Sequence, residues 1–332
     1  MFKFILFLEH HLIFTYFLHL IKIYKWDFIT YFMTEKIEIV FLGTGSAVPT
    51  IRRNHPSIFL RYKDENMLFD CGEGTQRQIR KARLNPCKIN RLFITHWHGD
   101  HVLGIPGLLQ TLALNNYNRE LEIYGPKGTK SYIDKIMSLF VNVGKIKFKI
   151  HEVSSGKVFE NKDFKIEAEQ MLHGTECLAY SFIEKDKLRI DKNKLKKLKL
   201  GFSPIIQKLK EGNDVMIDGK KIKSKDITYL QKGRKVSIVL DTRENKNIEK
   251  LSKNSDLLIS ESTYFDDEDL AKEHKHMTLK QAVSIAKKSK VKKLILLHIS
   301  QKYESNEKDF EKEARKLFKN SFLAEDLMKI EI

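Results

Sequence analysis

The seven residues Thr95-His96-Trp97-His98-Gly99-Asp100-His101 constrain this chain more than any other stretch. They follow an apolar run, Arg91-Leu92-Phe93-Ile94, whose composition predicts a strand delivering the chain to a tight, glycine-containing turn. Three imidazoles crowded into one turn repel one another when protonated. Kept neutral, they aim nitrogen lone pairs at one point, and imidazole with carboxylate is the donor set that zinc takes. Four such residues exceed what one catalytic ion needs if a position stays open to solvent, so the turn predicts two metals. The bland alternative is a polar loop that happens to be rich in histidine.

Around this turn the pattern strand, turn, helix recurs. Residues 36–42 predict a first strand, which exits through Gly43-Thr44-Gly45-Ser46-Ala47, a turn whose amides could face an anion. A loop with Pro49, Arg52, Arg53 and Asn54 leads to strand 57–62 and its hairpin partner 66–70. Asp70 ends that apolar strand just before glycines, placed to orient a metal-binding histidine. Helices are expected over 75–84, 108–114 and 129–140, and strands over 121–124, 145–152 and 164–170, the last leading to His173-Gly174. Downstream, the apolar runs 236–240 and 291–297 end at Asp241 and His298, and strand 256–260 ends at Glu261. Thr278 is a natural N-cap for a helix over 279–288, and a charged helix (308–319) and a strand (327–332) close the chain. The layout is mixed α/β with function on strand-end loops.

A length of 332 residues is ample for a core. Lys and Arg number 60 against 43 Asp and Glu, a net +17 that favours a polyanionic partner, although a Lys-rich proteome would give the same surplus. Cys71, Cys87 and Cys177 form no C-x-x-C pair, which suits a reducing, cytoplasmic setting better than a disulfide framework. Residues 1–32 are apolar and aromatic, yet Glu9, His10, His11, His19, Lys22, Lys25 and Asp27 interrupt them. No run reaches the roughly 18–20 apolar residues of a spanning helix, and no small-residue cleavage site follows. They read either as a membrane-associated helix or as an extension upstream of a true start at Met33. We expect the second, which leaves no membrane partner.

The order of several motifs is more specific than any one of them. From residue 36 onward the chain carries F-L-G-T-G-S-A-V-P-T with R-N following, F-D-C-G-E-G-T-Q-R-Q, T-H-W-H-G-D-H-V-L-G-I-P-G-L, the lone His173, D-T-R at 241–243, H-M-T at 276–278 and L-H-I-S-Q-K-Y at 297–303. In these it resembles the metallo-β-lactamase superfamily and, within it, the short-form transfer-RNA 3′-processing endonucleases of the ribonuclease Z family. The H-x-H-x-D-H element marks only the superfamily; G-T-G-S-A-V-P and E-G-T-Q-R-Q make the narrower match. The resemblance implies an α/β fold of four layers, an αβ/βα sandwich with two sheets face to face and helices outside. It implies two zinc ions per subunit, one held by His96, His98 and His173, the other by Asp100, His101 and His298, with Asp241 bridging. The implied activity removes the 3′ trailer from precursor tRNA, leaving a tRNA 3′-hydroxyl and a trailer 5′-phosphate. Asp100 is then the expected proton acceptor orienting the attacking water, His276 the donor to the departing 3′-oxygen, and Glu261 the orienter of His276. His274 competes with His276, which holds the H-x-T position.

Between about residues 183 and 225 the core periodicity lapses, and Lys192, Lys194, Lys196, Lys197, Lys199, Lys208 and Lys210 make the segment strongly basic. A solvated Lys-rich helix is one reading. The resemblance implies another, an insertion in a 33–332 nuclease domain that forms a protruding arm gripping the tRNA elbow. Family arms carry a Gly-Pro motif, where this chain has Gly201-Phe202-Ser203-Pro204-Ile205-Ile206. The resemblance also suggests a homodimer in which one subunit's arm holds tRNA for the other's site. A thioester or lactone hydrolase of the same superfamily would give no reason for the basic segment. A non-catalytic RNA-binding module would give none for the full donor set. Relatives acting on messenger or ribosomal RNA carry a large inserted domain for which this chain has no spare length.

Overall fold

Alternation along single strands sets the layers. In the strand Ile37–Gly43, Ile37, Ile39 and Phe41 point to one face and Val40 and Leu42 to the other, and all five are fully buried. A strand covered on both faces needs a layer on each side of its sheet. The computed structural model describes residues 35–139, 141, 146–197, 204–217 and 219–332. The extension 1–32 and Gly201, Phe202 and Ser203 lie outside the described residues.

Within these, the larger compact unit, Lys36–Asp186 with Lys232–Ile332, holds two seven-stranded sheets. The first runs, neighbour to neighbour, Lys329–Glu331, Ile37–Gly43, Ser57–Tyr62, Glu65–Phe69, Arg91–Phe93, Glu120–Gly125 and Lys147–Glu152, antiparallel up to Glu65–Phe69 and parallel beyond it. The second runs Ser321–Leu323, Leu294–Leu297, Leu257–Glu261, Lys235–Val239, Leu178–Glu184, Phe164–Gln170 and Gly156–Glu160, parallel up to Lys235–Val239 and antiparallel beyond it. Their inner faces share one core, in which Phe41, Phe69 and Phe93 meet Tyr180, Ile238 and Ile259. Helices Thr75–Lys81, Ile105–Leu114 and Thr129–Leu139 cover the outer face of the first sheet through Ile79, Leu108, Leu112 and Ile133. Lys246–Ser252, Leu279–Lys288 and Glu307–Leu317 cover the second through Ile248, Val283 and Phe310. The four-layer αβ/βα order read from the motifs is the order observed.

Local differences have local causes. The helix expected from residue 108 starts at Ile105, because Pro106 is well placed in a first turn. The strands Gly156–Glu160, Leu178–Glu184 and Ser321–Leu323 were not expected; the first is an exposed edge strand, the last an edge strand of three residues, and the second lies inside its sheet. Two amides of the first turn are already paired within the fold. Gly45 N–H donates to Asn54 O (2.9 Å) and Ser46 N–H to Ile299 O (3.3 Å). Glycine is required at Gly43, where any Cβ would lie 1.7 Å from the His55 carbonyl oxygen. Thr278 caps its helix in a reciprocal pair with Gln281.

The second unit includes Lys187–Gln231. Strands Lys187–Ile190 and Thr228–Gln231 pair antiparallel, as do Val215–Ile217 and Lys220–Ile222. Its basic helices Lys192–Lys197 and Pro204–Lys210 contribute to a small apolar cluster of Ile190, Leu195, Ile206, Leu209, Val215 and Ile227. These apolar residues are spaced too thinly among lysines to show a period in sequence. Among the described residues no helix is long and apolar enough to cross a membrane.

Candidate metal centre

Two buried carboxylates at strand ends organise the site. Asp70, after Glu65–Phe69, donates its N–H to Phe93 O (2.8 Å) and so is tied to the neighbouring strand Arg91–Phe93. Its Oδ1 accepts Thr95 N–H (2.7 Å); its Oδ2 accepts the Thr95 hydroxyl (2.7 Å) and His101 Nδ1–H (2.6 Å). The Thr95 hydroxyl has then given its proton to Asp70, so it accepts from His96 Nδ1–H at 3.0 Å. Glu261 plays the corresponding part in the second sheet. Its Oε1 accepts Thr242 N–H and His276 Nδ1–H (3.0 Å), and its Oε2 accepts Met277 N–H (3.1 Å) and the Thr263 hydroxyl (2.8 Å). Thr263 accordingly accepts from His298 Nδ1–H at 2.9 Å. His173 donates Nδ1–H to Lys275 O (3.3 Å).

The rings of His96, His101, His173 and His298 are thus fixed with the Nδ1 proton directed away and Nε2 turned inward. Their Nε2 atoms converge on Asp241. Its Oδ2 lies 3.5 Å from His96 Nε2, 3.3 Å from His101 Nε2 and 3.7 Å from His173 Nε2, and its Oδ1 lies 3.0 Å from His298 Nε2. His98 enters through Nδ1, 3.1 Å from His173 Nε2. Asp100 Oδ2 lies 3.3 Å from His101 Nε2 and 3.6 Å from His298 Nε2. The sequence-predicted ligands therefore fall into two sets sharing Asp241, namely His96, His98, His173 and Asp241, and Asp100, His101, Asp241 and His298. In each set the donor atoms lie within 4.8 Å of one another. Glu261, His276 and His298 form a third group beside them. The His276 ring centre is 5.1 Å from that of His173 and 5.4 Å from that of His298. His274 ends its helix and belongs to none of these sets among the described residues.

A test of metal fit is whether the buried donors are otherwise satisfied. His96 Nε2, His101 Nε2, His298 Nε2 and Asp241 Oδ1 are buried and have no hydrogen-bond partner. Unpaired buried polar atoms are costly and rare, and four of them facing one point are accounted for by cations that imidazole and carboxylate suit. Electrostatics agrees. Burial and the neighbouring His101 hold His96 well below its ordinary range. Burial pulls the His298 ring down, but Asp241 and Asp100 outweigh it and push the ring up to about 10. Burial would raise Asp241, yet His101 and His298 hold it well below the carboxylate range. Asp241 and Asp100 thus favour positive charge beside His298. Asp70 and His298 both hold left-handed backbone, with φ 55° and 60°, which for residues bearing a side chain costs roughly 1–3 kcal/mol and clusters at working sites.

Sequence reasoning missed Thr95 and Thr263. A lone threonine carries no spacing signature, and only the position of each next to a strand-end ligand or carboxylate could have raised it.

The fold and the convergent donor set define a protein of the metallo-β-lactamase fold, and its neighbours in structure agree. The metallo-β-lactamase fold protein YhfI from Bacillus subtilis superposes with TM-score 0.65 at 19% identity, over 90% of this chain and all of that one, which speaks for the fold alone. A family profile described as Anti-Pycsar protein Apyc1 matches residues 37–197, less than half of the chain. Ribonuclease Z of Nanoarchaeum equitans is 42% identical over 269 residues, covering 81% of this chain and 85% of that protein. Human tRNase Z, short form, superposes with TM-score 0.65 at 30% identity, covering 88% of this chain and 98% of that one. Likeness at this level over nearly the whole of each relative places the chain in the ribonuclease Z family. It is an endoribonuclease.

Proposed function

We propose that this protein removes the 3′ trailer from precursor tRNA by hydrolysing one phosphodiester, leaving a tRNA 3′-hydroxyl and a trailer 5′-phosphate. The observation that carries the reading is the set of partnerless Nε2 atoms of His96, His101 and His298 facing Asp241. His96, His98 and His173 would hold one zinc ion, Asp100, His101 and His298 a second, with Asp241 shared. When bound, such a pair supplies a nucleophile from water at neutral pH and offsets charge on the phosphoryl oxygens.

The chain's own groups perform the proton transfers. Asp100, a member of the second set, accepts a proton from the attacking water and orients it. The water oxygen bonds to phosphorus as the bond to the 3′-oxygen breaks. His276 passes its proton to that oxygen. Glu261 holds the His276 Nδ1–H at 3.0 Å, which leaves Nε2 as the nitrogen available to the leaving group. Burial disfavours the charged His276 ring, but the Glu261 carboxylate outweighs it and raises the ring's proton affinity.

In this reading residues 33–332 are one nuclease domain. The segment with Lys192, Lys194, Lys196, Lys197, Lys208 and Lys210 is an arm that meets tRNA phosphates. The enzyme works in the cytoplasm as a homodimer, each arm holding tRNA for the partner's site. The test is incubation of a 3′-extended precursor tRNA with purified protein, with and without chelator, followed by end-group analysis. One cut giving a 3′-hydroxyl and a 5′-phosphate, abolished by chelator and restored by zinc, is expected. Intact precursor with metal-loaded protein would sink the reading.

A further inference from the structure

The metal turn has a residue that neither donor set uses. Trp97 lies between His96 and His98, half-buried. Its indole N–H donates to Thr129 Oγ1 (3.0 Å), and its ring stacks on Tyr132, with centres 4.7 Å apart and planes 26° apart. Packing alone does not explain what surrounds the pair. Tyr132 keeps 44% of its surface in solvent. Lys135 Nζ lies 5.5 Å from the centre of its ring, and Lys127 and Lys130 are exposed on the loop and first turn of the same helix. Among the described residues none of these three lysines is in an ion pair. Of the nearby carboxylates, Glu152 already accepts the Gly128 and Lys130 amides through Oε1 (3.0 Å each).

An exposed aromatic ring, braced from behind by a second ring and rimmed by unpaired cations, is how proteins take single-stranded nucleic acid. The base stacks on the π-face and the phosphates meet the lysines. Trp97 packs against the apolar cluster on the outer face of the first sheet, and we propose that Trp97 and Tyr132, with Lys127, Lys130 and Lys135, form a stacking platform for one unpaired base of the RNA. The inference rests on the reading of the protein as an RNA phosphodiester hydrolase and adds a subsite to it. Trp97 ties the platform to the donor sets through the backbone, so a base seated there fixes the strand's register relative to the Asp241 cluster. Tyr132 acts by positioning, not in the chemistry.

The first measurement is steady-state cleavage of 3′-extended precursor tRNA by wild type, Tyr132→Ala and Tyr132→Phe. For Tyr132→Ala we expect kcat/KM to fall roughly 5–100-fold, the effect of losing one stacked base, chiefly through KM. Tyr132→Phe, which keeps the π-face, stays close to wild type. Substrates with single abasic sites on either side of the cut then locate the base. At one position wild type suffers the same loss and Tyr132→Ala adds nothing further. Wild-type kcat/KM for Tyr132→Ala, or a loss equal on every abasic substrate, overturns the platform. A second measurement does not depend on cleavage or on Tyr132→Ala folding. The chain has two tryptophans, Trp26 and Trp97, so in the Trp26→Phe full-length protein the emission reports Trp97. Titration with a short oligoadenylate should quench it, less at high salt, and an emission unchanged at saturating oligonucleotide overturns the proposal. Failure of the wild type to cut any precursor would defeat the functional reading instead, while quenching would still report the platform.

Discussion

Asp70 and Glu261 invite comparison because they do the same thing to different ends. Each is a fully buried carboxylate at the end of a strand, Asp70 in the first sheet and Glu261 in the second. Each takes one imidazole Nδ1–H directly (His101 and His276) and reaches a second imidazole through a threonine hydroxyl (His96 through Thr95, His298 through Thr263). The difference lies in what the rings then face. Both rings of the Asp70 arrangement point their Nε2 atoms at Asp241. In the Glu261 arrangement only His298 does, and His276 stands in the adjoining group. In the proposed mechanism one anchor therefore serves ion holding alone, whereas the other couples ion holding to proton delivery through a single carboxylate.

Removal of the residue at which the two arrangements diverge should have the largest effect. His276→Ala is expected to lower single-turnover cleavage on the order of 10²–10⁴-fold, with two zinc ions per chain retained by elemental analysis. Asp100→Ala should lower it as far and also lose zinc, since Asp100 lies within reach of both His101 and His298. Normal turnover in either variant at verified metal content would remove that residue from its proposed role. Next come the anchors. Asp70→Asn should weaken zinc binding about 10–100-fold, and cleavage should recover as zinc is raised. Glu261→Gln should lower turnover by a similar factor, about 10–100-fold, and zinc should not restore it, because the defect lies in His276. Recovery of both variants, or of neither, would erase the distinction between the anchors.

What could be read from sequence follows the same divide. The inward-facing ligands announce themselves through chemistry and spacing: three histidines and a carboxylate in one turn, then His173, Asp241 and His298 at the ends of apolar runs. Asp70 was legible because a carboxylate that ends an apolar strand must be buried, and a buried carboxylate needs donors. The four-layer order followed from the motif resemblance, and fully buried strands such as Val236 to Leu240 fit it. Edge strands such as Gly156–Glu160 were not legible, being half-exposed and short. Nor was the apolar cluster of Ile190, Leu195 and Ile206, whose members are brought together by tertiary packing across a lysine-rich segment. Thr95 and Thr263 were least legible, since each relays between a carboxylate and an imidazole, and one partner is distant in the chain: Asp70 for Thr95 and His298 for Thr263.

These two threonines give the smallest and most discriminating test. Thr95→Val and Thr263→Val are nearly isosteric, and each leaves a buried imidazole Nδ1–H without an acceptor, a cost of about 1–3 kcal/mol. Thermal or denaturant unfolding should therefore show similar losses of stability for the two. Their functional effects should differ in kind. Thr95→Val loosens His96 and removes one of the donors to Asp70 Oδ2, leaving His101 Nδ1–H on that oxygen. Because both rings face Asp241, zinc affinity falls a few-fold and turnover at saturating zinc returns to wild type. Thr263→Val loosens His298 and also removes one of the donors to Glu261 Oε2, leaving Met277 N–H on that oxygen. Its turnover should stay a few-fold low even when zinc is saturating. Identical behaviour of the two variants at saturating zinc would mean that Glu261 links nothing, and that the resemblance between the two anchors is only geometric.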